Sequence, residues 1–385
     1  MAPFLHFSRA EFARRQRRVR RTLAALRLDG LLIFKQESMY YLTGYDTSGY
    51  VMFQAMYFGA DGRMALCTRS PDVRSAALTS TLTDIRMWVD CEGADPGKDV
   101  REMVAACGGR GKRIGIEYHA YGLTGQRAKM VDAALAGFCR TEDASEVVRL
   151  VRRTKSAAEL AYVRKAGELA DAALALGNRM TMPGADIGCI YGEVNTVIMA
   201  GGGDPSADRW PMTCGARAEL VRYHTGHGVV GKNDQVTFEL AAPYRHYHAV
   251  VMNVAQTGRV DRRSRDNFKA CREALEETQS FLKPGRTCGD VYDAHARAFR
   301  RAGFKGTILK ACGYSVGATF PPSWMEWPMC WAGNPEVLAP GMTLFTHMIA
   351  VDGRSGRAMS LGETAIITAS GPERVTHAPR ELVAN

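Results

Sequence analysis

The sequence has no apolar run near the roughly 18–20 residues that a membrane-spanning helix needs. Its first residues, Met-Ala-Pro-Phe-Leu-His, lack the charged, apolar and small-residue order of a secretory leader. Both absences lead us to expect a cytoplasmic protein with no membrane partner. There is no CxxC, and the ten cysteines stand singly between Cys67 and Cys330. That argues against a zinc ribbon or a disulfide framework, and for reduced thiols. No GxGxxG follows a strand-like segment, and Gly108-Gly109-Arg110-Gly111 is too short and misplaced for a phosphate loop, so a dinucleotide fold is not indicated. No direct repeat is visible.

What is present is ordinary for a globular chain. Its 385 residues suit two domains, with 46% hydrophobic and 23% charged residues. The formal charge of +10 comes largely from one helix, where Arg9, Arg14, Arg15, Arg17, Arg18, Arg20, Arg21 and Arg27 face only Glu11 before Asp29. With no interleaved aromatics and no nucleic-acid motif, this reads as a solvated basic face, and no nucleic-acid partner is expected.

Local patterns place the elements. Ser8-Arg9-Ala10-Glu11 is a capping box opening a helix to about Leu28, with Phe12, Val19, Leu23, Leu26 and Leu28 inward and a stop at Gly30. Strand-like Leu31–Phe34, Tyr40–Tyr45, Val51–Phe58 and Met64–Cys67 follow. Helical and strand-like segments then alternate through Asp72–Thr79, Ile85–Val89, Lys98–Ala106, Arg113–Ile116 and Gly125–Leu135, which is α/β punctuation. A second capping box, Ser156-Ala157-Ala158-Glu159, opens a helix towards Arg179 behind the basic linker Arg149–Lys155. The domain boundary is therefore expected there, giving domains 1–150 and 151–385. The second domain adds helices near Ile187–Met199, Asp261–Phe281 and Gly289–Ala302. Gly313–Trp327 has a loop-like composition, and strands are expected at Met342–Ala350 and Ala365–Thr368.

The chain is organised around Asp234–Asn253. Gln235–Leu240 alternates as a half-buried strand, Pro243 closes it, and a second strand begins at Arg245. In that hairpin Glu239 takes a core position, and His246 and His248 share one face. A carboxylate and imidazoles in a core call for a purpose.

This order, with Lys155-Ser156-x-x-Glu159 at the junction, resembles the creatinase and prolidase family, whose catalytic half is the "pita-bread" fold. The resemblance covers essentially the whole chain and implies an N-terminal creatinase-like α/β domain ahead of the pita-bread domain. Metallopeptidases of the family hold two metal ions with two aspartates, a histidine and two glutamates. Carried over by position, these ligands fall on Glu239, Val250, Tyr314, His347 and Gly362, the last one residue before Glu363. Only one position keeps a carboxylate, so the resemblance implies a site with no metal and no other cofactor. In creatinases a histidine ahead of the hairpin serves as general base and acid, and Arg222-Tyr223-His224-Thr225-Gly226 puts His224 there. The ectoine-hydrolase branch is closer. It shares Phe238-Glu239, Tyr244-x-x-Tyr247-His248-Ala249, Cys312-Gly313-Tyr314 with Gly317, Pro321-Pro322-x-Trp324, Pro340-Gly341-Met342-Thr343 and Glu363. The departure is His347, where that branch carries methionine.

The reaction implied is hydrolysis of a non-peptide C–N bond in a small cyclic amidine, ectoine first. A linear guanidino acid cleaved as in creatinases is the enzymatic alternative, and a non-catalytic binding module is the other. For an amidine, Glu239 serves as nucleophile or as ion-pair partner, and His224 shuttles protons. Tyr314 donates to a substrate carboxylate or the leaving nitrogen. Trp324 offers a π face to a cationic ring. Glu363 pairs with amidinium nitrogens or with a structural arginine. His347 takes up the charge or proton duty of the lost glutamate, or bridges core groups. Of His246 and His248, the second is the expected pocket residue. His224-x-x-His227 has a metal-pair spacing without a third ligand. Tyr41, Tyr45 and Tyr50 lie in the segment that caps a partner's site in relatives, though a core role for them is the plainer reading. A homodimer follows from the resemblance alone.

Overall fold

The computed structural model describes residues 2–220, 222–226, 228–304, 307–352 and 357–385. His227 lies outside them. Backbone proximity divides the chain into two units, Met1–Arg152 and Arg153–Asn385.

The first unit runs α1 (Arg9–Leu26), β1 (Gly30–Ile33), α2 (Gln36–Thr43), β2 (Ala55–Gly59), β3 (Met64–Arg69), α3 (Ser70–Thr79), β4 (Ile85–Trp88), α4 (Pro96–Ala106), β5 (Arg113–Ile116), α5 (Gly125–Leu135), β6 (Arg140–Asp143) and α6 (Glu146–Arg152). Its sheet has the order β4-β3-β2-β1-β5-β6. In α1 the Ser8 side chain accepts from the Glu11 amide, and Phe12, Val19 and Leu23 are buried. The helix ends earlier than its pattern suggests, because Arg27 turns left-handed at φ 57°. Leu26, expected inward, is exposed as a result. Tyr40–Thr43 belongs to helix α2 and not to a strand, and Gly44 terminates it at φ 87°. Tyr41, Tyr45 and Tyr50 are buried within this unit.

The second unit opens with α7 (Ala157–Met180), whose Ser156 and Glu159 form the reciprocal capping box, followed by α8 (Ile187–Ala200). Then come β7 (Met212–Cys214), β8 (Gln235–Tyr244), β9 (Tyr247–Gln256), α9 (Arg262–Ser280), α10 (Cys288–Arg301), β10 (Thr307–Ile308), β11 (Ala311–Ser315), β12 (Glu326–Trp331), β13 (Thr343–Asp352), β14 (Arg357–Thr368), β15 (Gly371–Arg374) and β16 (Val383–Ala384). The main path of the sheet is β12-β11-β13-β14-β9-β8-β7. Each half supplies a helix pair and a long antiparallel hairpin, α7–α8 with β8–β9 and α9–α10 with β13–β14. Close approach of α7 to β8 requires Gly177, where a Cβ would stand 2.8 Å from the Phe238 ring.

The central hairpin differs from its sequence reading in two ways. β8 continues through Pro243, because the opposite residue His248 sends its amide to the Gly317 carbonyl (3.0 Å), so the missing proline N–H breaks no ladder bond. The turn is Arg245-His246, both left-handed at φ 51° and 65°, closing Tyr244 onto Tyr247 as a two-residue loop. His246 therefore sits in the turn and shares no strand face with His248. Its amide donates to Asp204 and its ring stacks on Phe320 at 4.2 Å. The expected loop Gly313–Trp327 also contains strand at both ends, since β11 pairs Gly313, Tyr314 and Ser315 with Thr346, Phe345 and Leu344 of β13. Among the described residues no helix is long and apolar enough to cross a membrane, and all ten cysteines are free.

Candidate active site

Strands β8, β11, β12 and β13 and the loops beside them converge on a cavity of about 310 Å³ in the second unit. β8 carries Glu239, β11 carries Tyr314, the approach to β12 carries Trp324, and β13 carries His347 and Ile349. The segment between β7 and β8 contributes Arg222 and His224. Asp208, Arg209, Leu309, Met325 and Met329 complete much of the wall.

Register places the floor. Glu239 lies opposite Met252, and Tyr314 opposite Phe345. The Trp324 indole N–H donates to the Tyr314 hydroxyl (2.8 Å), and that hydroxyl donates to Glu239 Oε1 (3.2 Å). One carboxylate oxygen is thus held by a chain of two donors, which fixes the side-chain rotamer. Oε2 has no hydrogen-bond partner among the described residues. Burial pushes the Glu239 carboxyl up to about 7, against the opposing pulls of the Tyr314 hydroxyl and the Arg222 charge. Burial, and the Glu239 charge behind it, hold the Tyr314 phenol well above its usual range, so it stays a donor.

Trp324 and Tyr314 therefore act on Glu239. The sequence reading had assigned them to the substrate's ring and carboxylate or leaving nitrogen. His347 lines the cavity, with ring contacts to Tyr314 and Phe345. Burial lowers its pKa to about 3, assisted by the positive potential of His295 and Arg222. It is neutral at physiological pH, which does not suit the charge-carrying duty expected of it. His224 lines the same cavity and is half-buried. Its loop is tied at the base, where Arg217 Nη1 donates to the Gly226 carbonyl (2.6 Å) and the Tyr223 amide to the Leu220 carbonyl (3.0 Å). Arg222 and His224, two residues apart, are both presented to the cavity.

Two expected site residues are elsewhere. His248 does not line the cavity. The Ala207 amide donates to its Nε2 (3.1 Å), which makes Nδ1 the protonated nitrogen, 2.8 Å from the His246 carbonyl and 3.0 Å from the Thr319 hydroxyl. Burial lowers its pKa to about 4, so it is a neutral brace of the hairpin turn. Glu363 is 1% exposed and saturated: Arg374 and Arg380 each bond both of its oxygens, and Gln279 donates to Oε2 (3.1 Å). It clamps the C-terminal segment to α9 and has no capacity left for an amidinium. Glu363→Gln strands two partly buried guanidinium groups, so a loss of about 3 kcal/mol in stability is expected by denaturant titration, with kcat of the remaining folded protein unchanged. A selective loss of kcat with stability intact would return Glu363 to the site.

Sequence reasoning missed Arg222, Arg209 and Asp208. The only available signal was that Arg222 lies two residues before the histidine already singled out.

The positions that the family resemblance assigns to metal ligands do not form a donor set for two hard cations. Val250 is sealed in the core and offers no donor. A Cβ on Gly362 would lie 2.6 Å from the Phe345 ring, so that ring fills the place of a ligand side chain. His347 and Tyr314 supply a neutral imidazole and a protonated phenol. Among the described residues no group of three or more His, Cys, Asp or Glu is arranged to hold a metal ion.

The sequence profile described as Creatinase/Prolidase N-terminal domain matches residues 15–154, and that of Metallopeptidase family M24 matches residues 161–369. The chain is 26% identical to ectoine hydrolase of Halomonas elongata over 395 residues, covering 98% of each. It is 27% identical to an uncharacterized hydrolase/peptidase of Sinorhizobium fredii over 391 residues, again 98% of each. Its fold matches the Xaa-Pro dipeptidase from Bacillus anthracis with a TM-score of 0.84 at 18% identity, covering 97% of this chain and 100% of that one.

Proposed function

The chain belongs to metallopeptidase family M24, with a creatinase/prolidase N-terminal domain ahead of the pita-bread catalytic half, and within that family we propose that it is a metal-independent hydrolase of a non-peptide C–N bond in a small cyclic amidine. Ectoine is the first substrate to test, a choice supported by full-length similarity to an ectoine hydrolase. The observation that carries the reading is Glu239: a buried carboxyl with one oxygen held by Tyr314 and the other unpartnered in the cavity.

The chemistry follows from those groups. The amidinium carbon, flanked by two nitrogens, is electrophilic, and bringing the cation beside Glu239 favours the ionised carboxylate. Oε2 attacks that carbon to give a tetrahedral adduct. The ring C–N bond breaks as the departing nitrogen takes a proton from His224, leaving an O-acyl imidate, a mixed anhydride, on Glu239. His224, now neutral, removes a proton from water, which attacks the anhydride and releases an N-acyl amine and the free carboxylate. The Tyr314 hydroxyl steadies the carboxylate as it re-forms. Neutral His347 provides a hydrogen-bonding wall.

The test is a mass-spectrometric screen of ectoine, hydroxyectoine, creatine and N-acetylated diamino acids, run before and after exhaustive chelation. Consumption of a cyclic amidine at an unchanged rate after chelation is expected, because no step uses a metal. Loss of that activity on chelation, with recovery on adding manganese, cobalt or zinc, would contradict the proposal, as would cleavage of Xaa-Pro dipeptides in its place.

A further inference from the structure

The cavity holds more positive charge than its proposed reaction uses. Arg222 is an exposed cavity-lining residue whose Nη2 reaches only the Met325 thioether, at 3.6 Å, and among the described residues no carboxylate lies within ion-pair distance of it. A thioether is a weak acceptor for a guanidinium that can offer five N–H groups. Some other arginines of this unit are ion-paired, Arg164 with Glu373, Arg263 with Asp352, and Arg374 and Arg380 with Glu363. Arg222 is also not remote from the chemistry: its charge acts on Glu239, Tyr314 and His347 together. The loop that presents it is tied by Arg217 to the Gly226 carbonyl, and Arg222 and His224 line the same cavity.

The charged lining is therefore bipolar, with Glu239 and Asp208 set against Arg222 and Arg209. Glu239 accounts for a cation. An arginine fork without a carboxylate partner, at the same cavity, is complementary to an anion, and a planar carboxylate matches it through two parallel N–H···O bonds. We propose that Arg222 is the anion anchor of the site and binds a substrate carboxylate, so that the cavity selects zwitterionic amidine acids over neutral or purely cationic amidines. This rests on Glu239 as the group that faces the amidinium. Held at both poles, the ring carbon cannot rotate away from Oε2, and binding energy remote from the reacting bond is turned into orientation.

The experiment compares the wild-type chain with Arg222→Gln and Arg222→Lys on ectoine and on the same amidine ring lacking its carboxylate. Arg222→Gln is expected to lower kcat/KM for ectoine about 10- to 100-fold, the range for losing hydrogen bonds to a charged group. On the decarboxylated ring the loss in kcat/KM is smaller by about that factor, because no carboxylate contact is removed there. Arg222→Lys, keeping charge without the fork, recovers part of the preference. Equal losses on both rings, or an undiminished preference for ectoine in Arg222→Gln, overturn the proposal. A calorimetric pair separates this from the reaction itself: the ring-opened product N-acetyl-diaminobutyrate and its carboxamide, titrated into wild type and Arg222→Gln. If neither ring is turned over, the amidine reaction fails, and calorimetry alone decides Arg222. Tighter binding of the acid than the amide, erased in Arg222→Gln, sustains the anchor; no discrimination by the wild-type cavity overturns it.

Discussion

Glu239→Gln loses at least about 10⁴-fold in kcat, the scale on which removal of a nucleophile acts. The amide is nearly isosteric and still accepts the Tyr314 hydrogen bond, so the cavity keeps its shape and only the attacking oxygen is lost. A carboxylate that merely paired with the substrate would behave differently, with KM rising and measurable turnover surviving. The same substitution has a second signature in stability. The folded-state pKa of Glu239 is raised from 4.5 to about 7. A raised carboxyl leaves folding unpenalised below pH 4.5 and costs stability as pH rises through 7, on the order of 3 kcal/mol once both states are ionised. Glu239→Gln should therefore match wild type in melting temperature near pH 4.5 and exceed it by several degrees at pH 8. Since attack needs the ionised form in the free protein, wild-type kcat/KM should rise with pH through about 7. A Gln variant with substantial turnover, or with no gain in stability at pH 8, would remove Glu239 from the centre of the account.

His224→Ala lowers kcat by about 10²–10⁴-fold, the usual contribution of a positioned acid–base group, while KM changes little. Both proton transfers pass through this imidazole, from it to the departing nitrogen and then to it from water. The defect should therefore appear in both halves of the reaction, and added imidazole or another small buffer base should restore part of it. His347 offers no ready substitute, since burial keeps it neutral down to about pH 3. Near wild-type turnover in His224→Ala, with loss in His347→Ala, would relocate the proton shuttle.

How far these residues could be read from the sequence depended on whether their partners were local. Glu239 stood out because a carboxylate interrupted an alternating apolar strand, and both capping serines lie three residues before the amides they bind. The hairpin turn was misplaced because Arg245 and His246 carry none of the asparagine or glycine preference that marks left-handed turn positions. The sequence leaves Glu363 between an amidinium and a structural arginine because the arginines that saturate it, Arg374 and Arg380, lie 11 and 17 residues downstream with no periodic signal. His248 was misassigned to the pocket for a similar reason, since its Nε2 is occupied by the amide of Ala207, 41 residues away. Tyr314 and Trp324 were recognised as site residues, but their common orientation towards Glu239 arises from strand pairing across 75 residues. An exposed arginine in a polar loop has no pattern at all, and only the cavity singles out Arg222.

The most direct test of the covalent role of Glu239 is a rapid acid quench of wild type with limiting ectoine, followed by peptide mass analysis, paired with a single turnover in heavy-oxygen water. The account predicts a transient mass increase on the peptide carrying Glu239, absent in Glu239→Gln, together with protein-derived oxygen in the first product whenever water attacks at the glutamyl carbonyl. Solvent oxygen in all of the first product, with no adduct trapped on Glu239 while turnover proceeds, would contradict it.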